Sequence, residues 1–314
     1  MPVGPHLPSE ARTGEADALS YYAGQSRVTD PGRRSGRLAD LPGDVGALQR
    51  AARGLVIHYR SDELSTHGVS EERWPEVDSR YAETMLGRLF ERDGRPLTEH
   101  RPPDKRLLGC CRDFTVLFLT MARHRGIPAR ARVGFATYFV PGFSIDHEVA
   151  EVWDAQERRW RLVDAELGDD HVDPTDGMPV DPLDVSRDRF LVAGAAWEAC
   201  RGGDASPDEF LVHPDLDVAM TRGWPYLRHN VVHDLAALNK VEMLLWDYWG
   251  LMEVERPSEG DLVLLDRVAR ATLTGEAPAE VQTLYADDAR LRVPRTVTSY
   301  SPAAPEPRTV VVET

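Results

Sequence analysis

The feature that most constrains this chain is a change of hydrophobic period in its middle. Phe114, Leu117, Phe118, Met121 and Ala122 recur at i, i+3, i+4, i+7 and i+8, and the pattern stops at Gly126-Ile127-Pro128. That spacing places one apolar stripe along a helix, and the Gly and Pro end it. After Pro128 the period falls to two, with Ala131, Val133 and Phe135 alternating against Arg130, Arg132 and Gly134. This predicts a half-exposed strand. Val140-Pro141-Gly142 breaks it, and two more short strands follow, His147 to Trp153 and Trp160 to Asp164, around the polar turn Asp154-Ala155-Gln156-Glu157. A helix feeding an antiparallel meander is an α+β arrangement.

The flanks read differently. Apolar residues fall at helical spacing from Leu48 to His58 and from Tyr81 to Glu91, which predicts two scaffold helices. Beyond about residue 185 helical spacing returns, in Val231, Val232, Leu235, Leu238, Val241, Leu244, Leu245 and Tyr248, and again from Leu262 to Leu273. The first 45 residues are rich in Pro, Gly, Arg, Ser and Asp, and the end carries Ser301-Pro-Ala-Ala-Pro-Glu-Pro. Both read as flexible segments, the first with one short helix. The expected organisation is an arm over 1–45, a catalytic core over 46–185, a helical subdomain over 186–290 and a tail over 291–314.

Composition narrows the function. With 37 basic against 52 acidic residues the net charge is −15, which repels nucleic acid and anionic membranes at long range and favours neutral or cationic partners. No apolar run approaches the roughly 20 residues that span a bilayer, and the first thirty residues hold no secretory signal, so a cytoplasmic location is expected. Three cysteines, with Cys110 and Cys111 adjacent, form neither a disulfide framework nor a CxxC zinc pattern. A role for a thiol here is chemical.

Cys111 is the candidate nucleophile. It stands at the start of the central helix, where the helix dipole favours a thiolate, and three residues before Phe114, so its sulfur points toward the surface that the apolar face packs upon. In the hairpin, pairing Trp153 with Arg158 across a four-residue turn carries His147 directly opposite Asp164. Side chains on facing residues of one sheet face lie close enough for a carboxylate to accept the imidazole N–H and leave the other nitrogen for a sulfur. A one-residue slip in register destroys that pairing.

Four segments, Gly109-Cys-Cys-Arg-Asp-Phe114, Gly126-Ile-Pro-Ala-Arg130, His147-Glu-Val-Ala-Glu-Val152 and Trp160-Arg-Leu-Val-Asp164, resemble in order and spacing the core of the transglutaminase-like superfamily. The resemblance implies a papain-like core in which Cys111, His147 and Asp164 form a triad. Cys111 would attack an amide or ester carbonyl, form a thioester, and pass the acyl group to an amine or to water. It implies no metal and no organic cofactor, and an oxyanion held by backbone N–H groups at the helix start, that of Cys111 included. The chain departs from the family pattern in two places: Glu148-Val149 follow the His where the family has an aromatic, and Ala165-Glu166 follow the Asp where many members read Asp-Pro-Thr.

Rival residues have simpler accounts. Cys110 also precedes the helix, but the family register favours Cys111; Cys200 reads as structural. Asp173, in Asp-Pro-Thr-Asp-Gly, is turn chemistry and a minor alternative third member. His229 and His233 have the i, i+4 spacing of metal ligands without the Glu of a metalloprotease motif, so they read as a polar helix flank or a cleft lining. The expected function is cysteine-dependent acyl transfer or amide hydrolysis on a small-molecule or peptide amide or ester, with an amine as the acceptor in the transfer case. The alternatives are a peptidase or deamidase, an amide-forming enzyme of a biosynthetic pathway, and an inactive binding domain.

Overall fold

The structure is a computed structural model that describes residues 9–61, 64–218, 220–275 and 278–313. The chain runs α1 (Ser9–Ala23), α2 (Val45–Arg53), β1 (Val56–His58), α3 (Ala82–Arg92), β2 (Leu107–Gly109), α4 (Cys111–His124), β3 (Ala129–Ala136), β4 (Ser144–Asp154) and β5 (Arg159–Val163). It continues with β6 (Phe190–Val192), α5 (Ala193–Gly202), β7 (Phe210–Leu211), α6 (Gly223–Leu238), β8 (Asp247–Tyr248), α7 (Glu259–Thr272), α8 (Pro278–Asp287), β9 (Thr296–Ser299) and β10 (Arg308–Val311). This is a mixed helix-and-sheet architecture with an antiparallel meander at its centre, consistent with the core expected from the sequence.

The central sheet has the order β5-β4-β3-β6, with β7 added to β4. One face of β4 and β3 meets α4, whose Leu117, Phe118 and Leu119 are buried with Ala131, Val133, Ala150 and Val152. Each fully buried Leu or Phe there contributes about 1.5–3 kcal/mol, which explains why the helical stripe stops where the strand begins. β3 also meets α5 and α6, where Phe135 joins Trp197, Val231 and Leu235, and all eight of its residues are buried. So β3 is covered on both sides, and the expected half-exposed strand is corrected. Its outward arginines are buried in ion pairs: Arg132 binds Asp234 of α6, and Arg130 and Arg132 both bind Glu151 of β4. Charge at alternate positions reads as exposure unless its partners are known.

The segment boundaries also shift. Val28, Leu38 and Leu41 lie in the same core as α4, and the Ser26 hydroxyl donates to Glu242 while Arg123 reaches Thr29 and Glu242. The stretch of the expected arm from Ser26 to Leu41 is therefore packed; residues 1–8 lie outside the described residues. The expected tail supplies β9 and β10, which extend a three-stranded sheet with β8, and buries Val297 and Val312. Nor does the core end at 185, because Gly134 of β3 pairs with Val192 of β6. A Cβ on Gly134 would lie 2.2 Å from the Leu191 carbonyl oxygen, so only Gly allows that approach. The helix expected over 48–58 ends at Arg53, and Val56–His58 pairs in parallel with Leu107–Gly109. A short apolar run does not distinguish helix from buried strand.

Candidate active site

β2 delivers the chain to the start of α4, with no room to spare. The Cys110 N–H donates to Asp113 Oδ2 at 2.9 Å, closing the first turn, and a Cβ on Gly109 would fall 2.5 Å from that oxygen. This cap fixes which way the two thiols face. Cys110 turns into a small cluster with Ile57, Val77, Leu108, Leu244 and Trp246, whereas Cys111 joins the core between α4 and the sheet. One turn after Cys111, on the same side of the helix, the Thr115 hydroxyl donates to the Glu148 carbonyl at 2.9 Å. α4 is thereby tied to β4 at the residue following His147.

His147 and Asp164 are brought together as the sequence predicts, by a different register. Trp153 pairs with Trp160 and Asp154 with Arg159, so the turn is Ala155 to Arg158 and the ladder is offset by two residues from the expected Trp153–Arg158 pairing. The cause is local: Asp154 Oδ1 accepts the N–H groups of Gln156 and Glu157, and Arg158 takes a left-handed φ of 52°. An offset of two preserves the sheet face, which is why the pair survives. The ladder ends at Ala150–Val163, and Asp164 is held just beyond it by its own N–H to the Pro182 carbonyl at 2.8 Å.

The carboxylate of Asp164 is fully engaged. Oδ2 accepts His147 Nε2–H at 2.8 Å and the Tyr138 hydroxyl at 2.7 Å, while Oδ1 accepts the N–H groups of Glu166 at 2.9 Å and Leu167 at 3.3 Å. With Nε2 carrying a proton toward Asp164, the neutral imidazole has its lone pair on Nδ1. Gln49 of α2 braces the loop by donating to the carbonyls of Asp164 at 3.0 Å and Leu167 at 2.8 Å. Phe139 and Tyr138 meet the imidazole edge-to-face at centroid distances of 5.0 and 6.2 Å. The aromatic wall thus comes from the end of the preceding strand region rather than from the residues after His147.

Burial would lower the His147 pKa, but the charge and hydrogen bond of Asp164 outweigh it, and the net shift is upward. Burial would raise Asp164, and His147 with its other donors brings it below the usual carboxylate range. Burial pushes Glu166 up to about 7 and Asp146 to about 6, the latter against hydrogen bonds from Tyr226 and Asn230. The Cys111 thiol is held well above its ordinary value, first by a hydrogen bond shared with Cys110 and then by burial. The shift runs opposite to the one expected from the helix dipole: the hydrogen bond with Cys110, and then the burial of a residue only 6% exposed, outweigh the helix end.

The remaining candidates fall away from this point. Asp173 sits in its turn, accepting the Thr175 N–H at 2.8 Å and pairing with Arg189. Cys200 lies in the apolar core of the helical side. His229 and His233 are not a polar flank; both are buried, their rings 4.2 Å apart, with His233 Nε2–H donating to the Asp247 carbonyl. Among the described residues no third His, Cys, Asp or Glu joins them in a metal-binding group. Nor is any described helix long and apolar enough to cross a membrane. Sequence reasoning missed Tyr138 and Gln49; the Tyr138-Phe139 pair just before the Val-Pro-Gly break was the available signal for the first.

Residues 92–165 match the family model of the transglutaminase-like superfamily. This segment spans β2, α4, β3, β4 and β5, and it contains Cys111, His147 and Asp164; members of the superfamily are typically cysteine-dependent enzymes. No curated protein matches the chain. Among solved structures, the crystal structure of a putative cysteine protease from Cytophaga hutchinsonii matches 51% of this chain and 43% of its own at 16% identity, with a TM-score of 0.31. The match thus takes in less than half of that protein.

Proposed function

We propose that the protein is a cysteine-dependent acyltransferase or amidohydrolase that works through a thioester on Cys111. The observation that carries this reading is the hydrogen bond from His147 Nε2–H to Asp164, which fixes the tautomer with a basic Nδ1 on the strand that α4 packs against. His147 takes the Cys111 proton as sulfur attacks the acyl carbonyl; Asp164 orients the ring and balances the imidazolium. The backbone N–H groups at the start of α4 receive the oxyanion. The leaving group departs with the proton from His147, and an amine or water then attacks the thioester. Because the resting thiol is neutral, proton transfer accompanies substrate binding, and free thiolate is scarce until then.

Intact-mass measurement after incubation with activated esters and thioesters tests this. The expected result is one acyl adduct on Cys111, absent from Cys111→Ser, that decays faster when amines are added if transfer is the function. Equal modification of Cys110, Cys111 and Cys200, or none, would refute the assignment. Faster turnover in water alone, with no response to amines, points to a peptidase or deamidase.

A further inference from the structure

A cleft of about 630 Å³ opens beside the proposed site and concentrates the charge that the chain as a whole lacks. Its lining holds four guanidinium groups, those of Arg50, Arg53, Arg60 and Arg106, against two carboxylates, Glu99 and Glu166. The arginines arise from separate pieces of chain: the last turn of α2, the segment after β1, and the approach to β2. Arg50 and Arg53 complement the dipole of α2, which accounts for those two but not for the other two converging on the same space. Among the described residues, Arg50, Arg53 and Arg60 form no ion pair with a carboxylate, although that of Asp170 stands near Arg53 beside Gly168. In a chain with net charge −15, the guanidinium groups of Arg50, Arg53 and Arg60 around a concavity are a local field of opposite sign.

The cleft also has a direction. Arg50, Arg53 and Arg60 are exposed at its rim, whereas Phe114, at 4% exposure, lies at its floor one turn after Cys111. Glu166 joins Phe114 there, and its charge is felt by both Cys111 and His147. His58 forms the wall between, paired in register with Gly109, while the Tyr59 N–H donates to the Gly109 carbonyl at 2.8 Å. One end of the cleft therefore attracts anions, and the other is lined by Phe114, which follows Cys111 by one turn of α4.

Resting on the proposed function, we infer that the substrate is an acyl donor bearing a multiply charged anion, a phosphate ester or a polycarboxylate, that the rim arginines hold while the acyl carbon reaches Cys111. Guanidinium groups suit both anions through paired N–H donors. With a thioester donor the step balances as follows: sulfur of Cys111 bonds the acyl carbon, the C–S bond of the donor breaks, and the Cys111 proton passes through His147 to the departing thiolate.

The test uses acetyl thioesters of three thiols, neutral N-acetylcysteamine, 4′-phosphopantetheine and mercaptosuccinate, with acetylation of Cys111 followed by intact mass at low salt. Two guanidinium contacts predict that an anionic donor reacts at least about 30-fold faster than the neutral one, at about tenfold per 1.4 kcal/mol. In Arg50→Gln/Arg53→Gln that ratio falls to within about threefold, and in 0.5 M salt it shrinks in the native protein. Which anionic donor gains identifies the phosphate or the carboxylate as the recognised group. Equal rates for all three donors, or a ratio that the double substitution leaves intact, would overturn the inference. Should no thioester acetylate Cys111, calorimetric titration with pyrophosphate and with tricarballylate judges the cleft separately. Binding that the double substitution removes sustains the anion site while the thioester chemistry fails; no binding by the native protein overturns it.

Discussion

Replacing Asp164 by Asn alters one atom type at the point where four donors converge. The two backbone N–H groups of Glu166 and Leu167 keep the amide oxygen on their side, so the amide N–H₂ turns toward Tyr138 and His147. His147 Nε2 can then only accept, and its proton moves to Nδ1, the nitrogen that must take the Cys111 proton. A charge-assisted hydrogen bond contributes about 1.5–3 kcal/mol, so its loss slows Cys111 modification about 10- to 150-fold. The pH dependence moves as well. In the native protein the rate rises with pH as His147 loses its proton, and the midpoint lies above 6.5 because Asp164 raises the imidazole pKa. Without that charge burial prevails, the midpoint falls below 6.5, and the plateau drops. The assay is the rate of iodoacetamide alkylation at Cys111, read by peptide mass between pH 5 and 8, with circular dichroism to establish folding. A folded Asp164→Asn protein with unchanged rate and midpoint would refute the role given to Asp164.

Cys110→Ala removes the sulfur that most strongly holds the Cys111 thiol up, so alkylation of Cys111 at pH 7 should accelerate about threefold or more, and a slower rate would contradict the account. Gly134→Ala forces a Cβ against the Leu191 carbonyl and should cost about 2 kcal/mol or more in a urea unfolding curve. Glu151→Gln leaves Arg130 buried with a neutral partner and Arg132 with Asp234 alone, for an expected loss of about 3–5 kcal/mol; a change under about 1 kcal/mol in the same measurement would show the network to be dispensable.

What was legible in the sequence was what obeys a short-range rule. The switch of period at Gly126-Ile127-Pro128 located α4 and the meander, and the hairpin arithmetic found the right partner for His147 even with the register off by two, because face depends only on parity. Long-range pairings were not legible. Arg130 and Arg132 read as exposed because the residues that neutralise them, Glu151 and Asp234, lie on other elements. The polar first segment read as an arm because its few apolar residues, Val28, Leu38 and Leu41, show no period, although each finds a place in the core. The state of the thiol was misjudged for a related reason: the helix dipole is visible in sequence, whereas the depth of burial is not.

On the proposed function, the chemistry and most of the selectivity of this protein reside in different parts of the chain. Cys111, His147 and Asp164 all fall within the matched segment 92–165, and so does Tyr138. Much of what would decide what reaches them lies outside it: Gln49 braces the Asp164 loop, His58 walls the cleft, and Arg50, Arg53 and Arg60 ring its mouth, while Arg106 and Phe114 of the cleft belong to the segment. Net charge alone would exclude an anionic substrate, yet at physiological salt charges beyond about 8 Å are largely screened, so an approaching anion responds to the rim before it responds to the rest of the surface. A negative body with a positive mouth also disfavours extended polyanions such as nucleic acid, which must lie across the acidic surface, while admitting a small one. The same arrangement predicts that raising ionic strength weakens capture of a charged donor without altering the intrinsic acidity of a thiol buried beneath it.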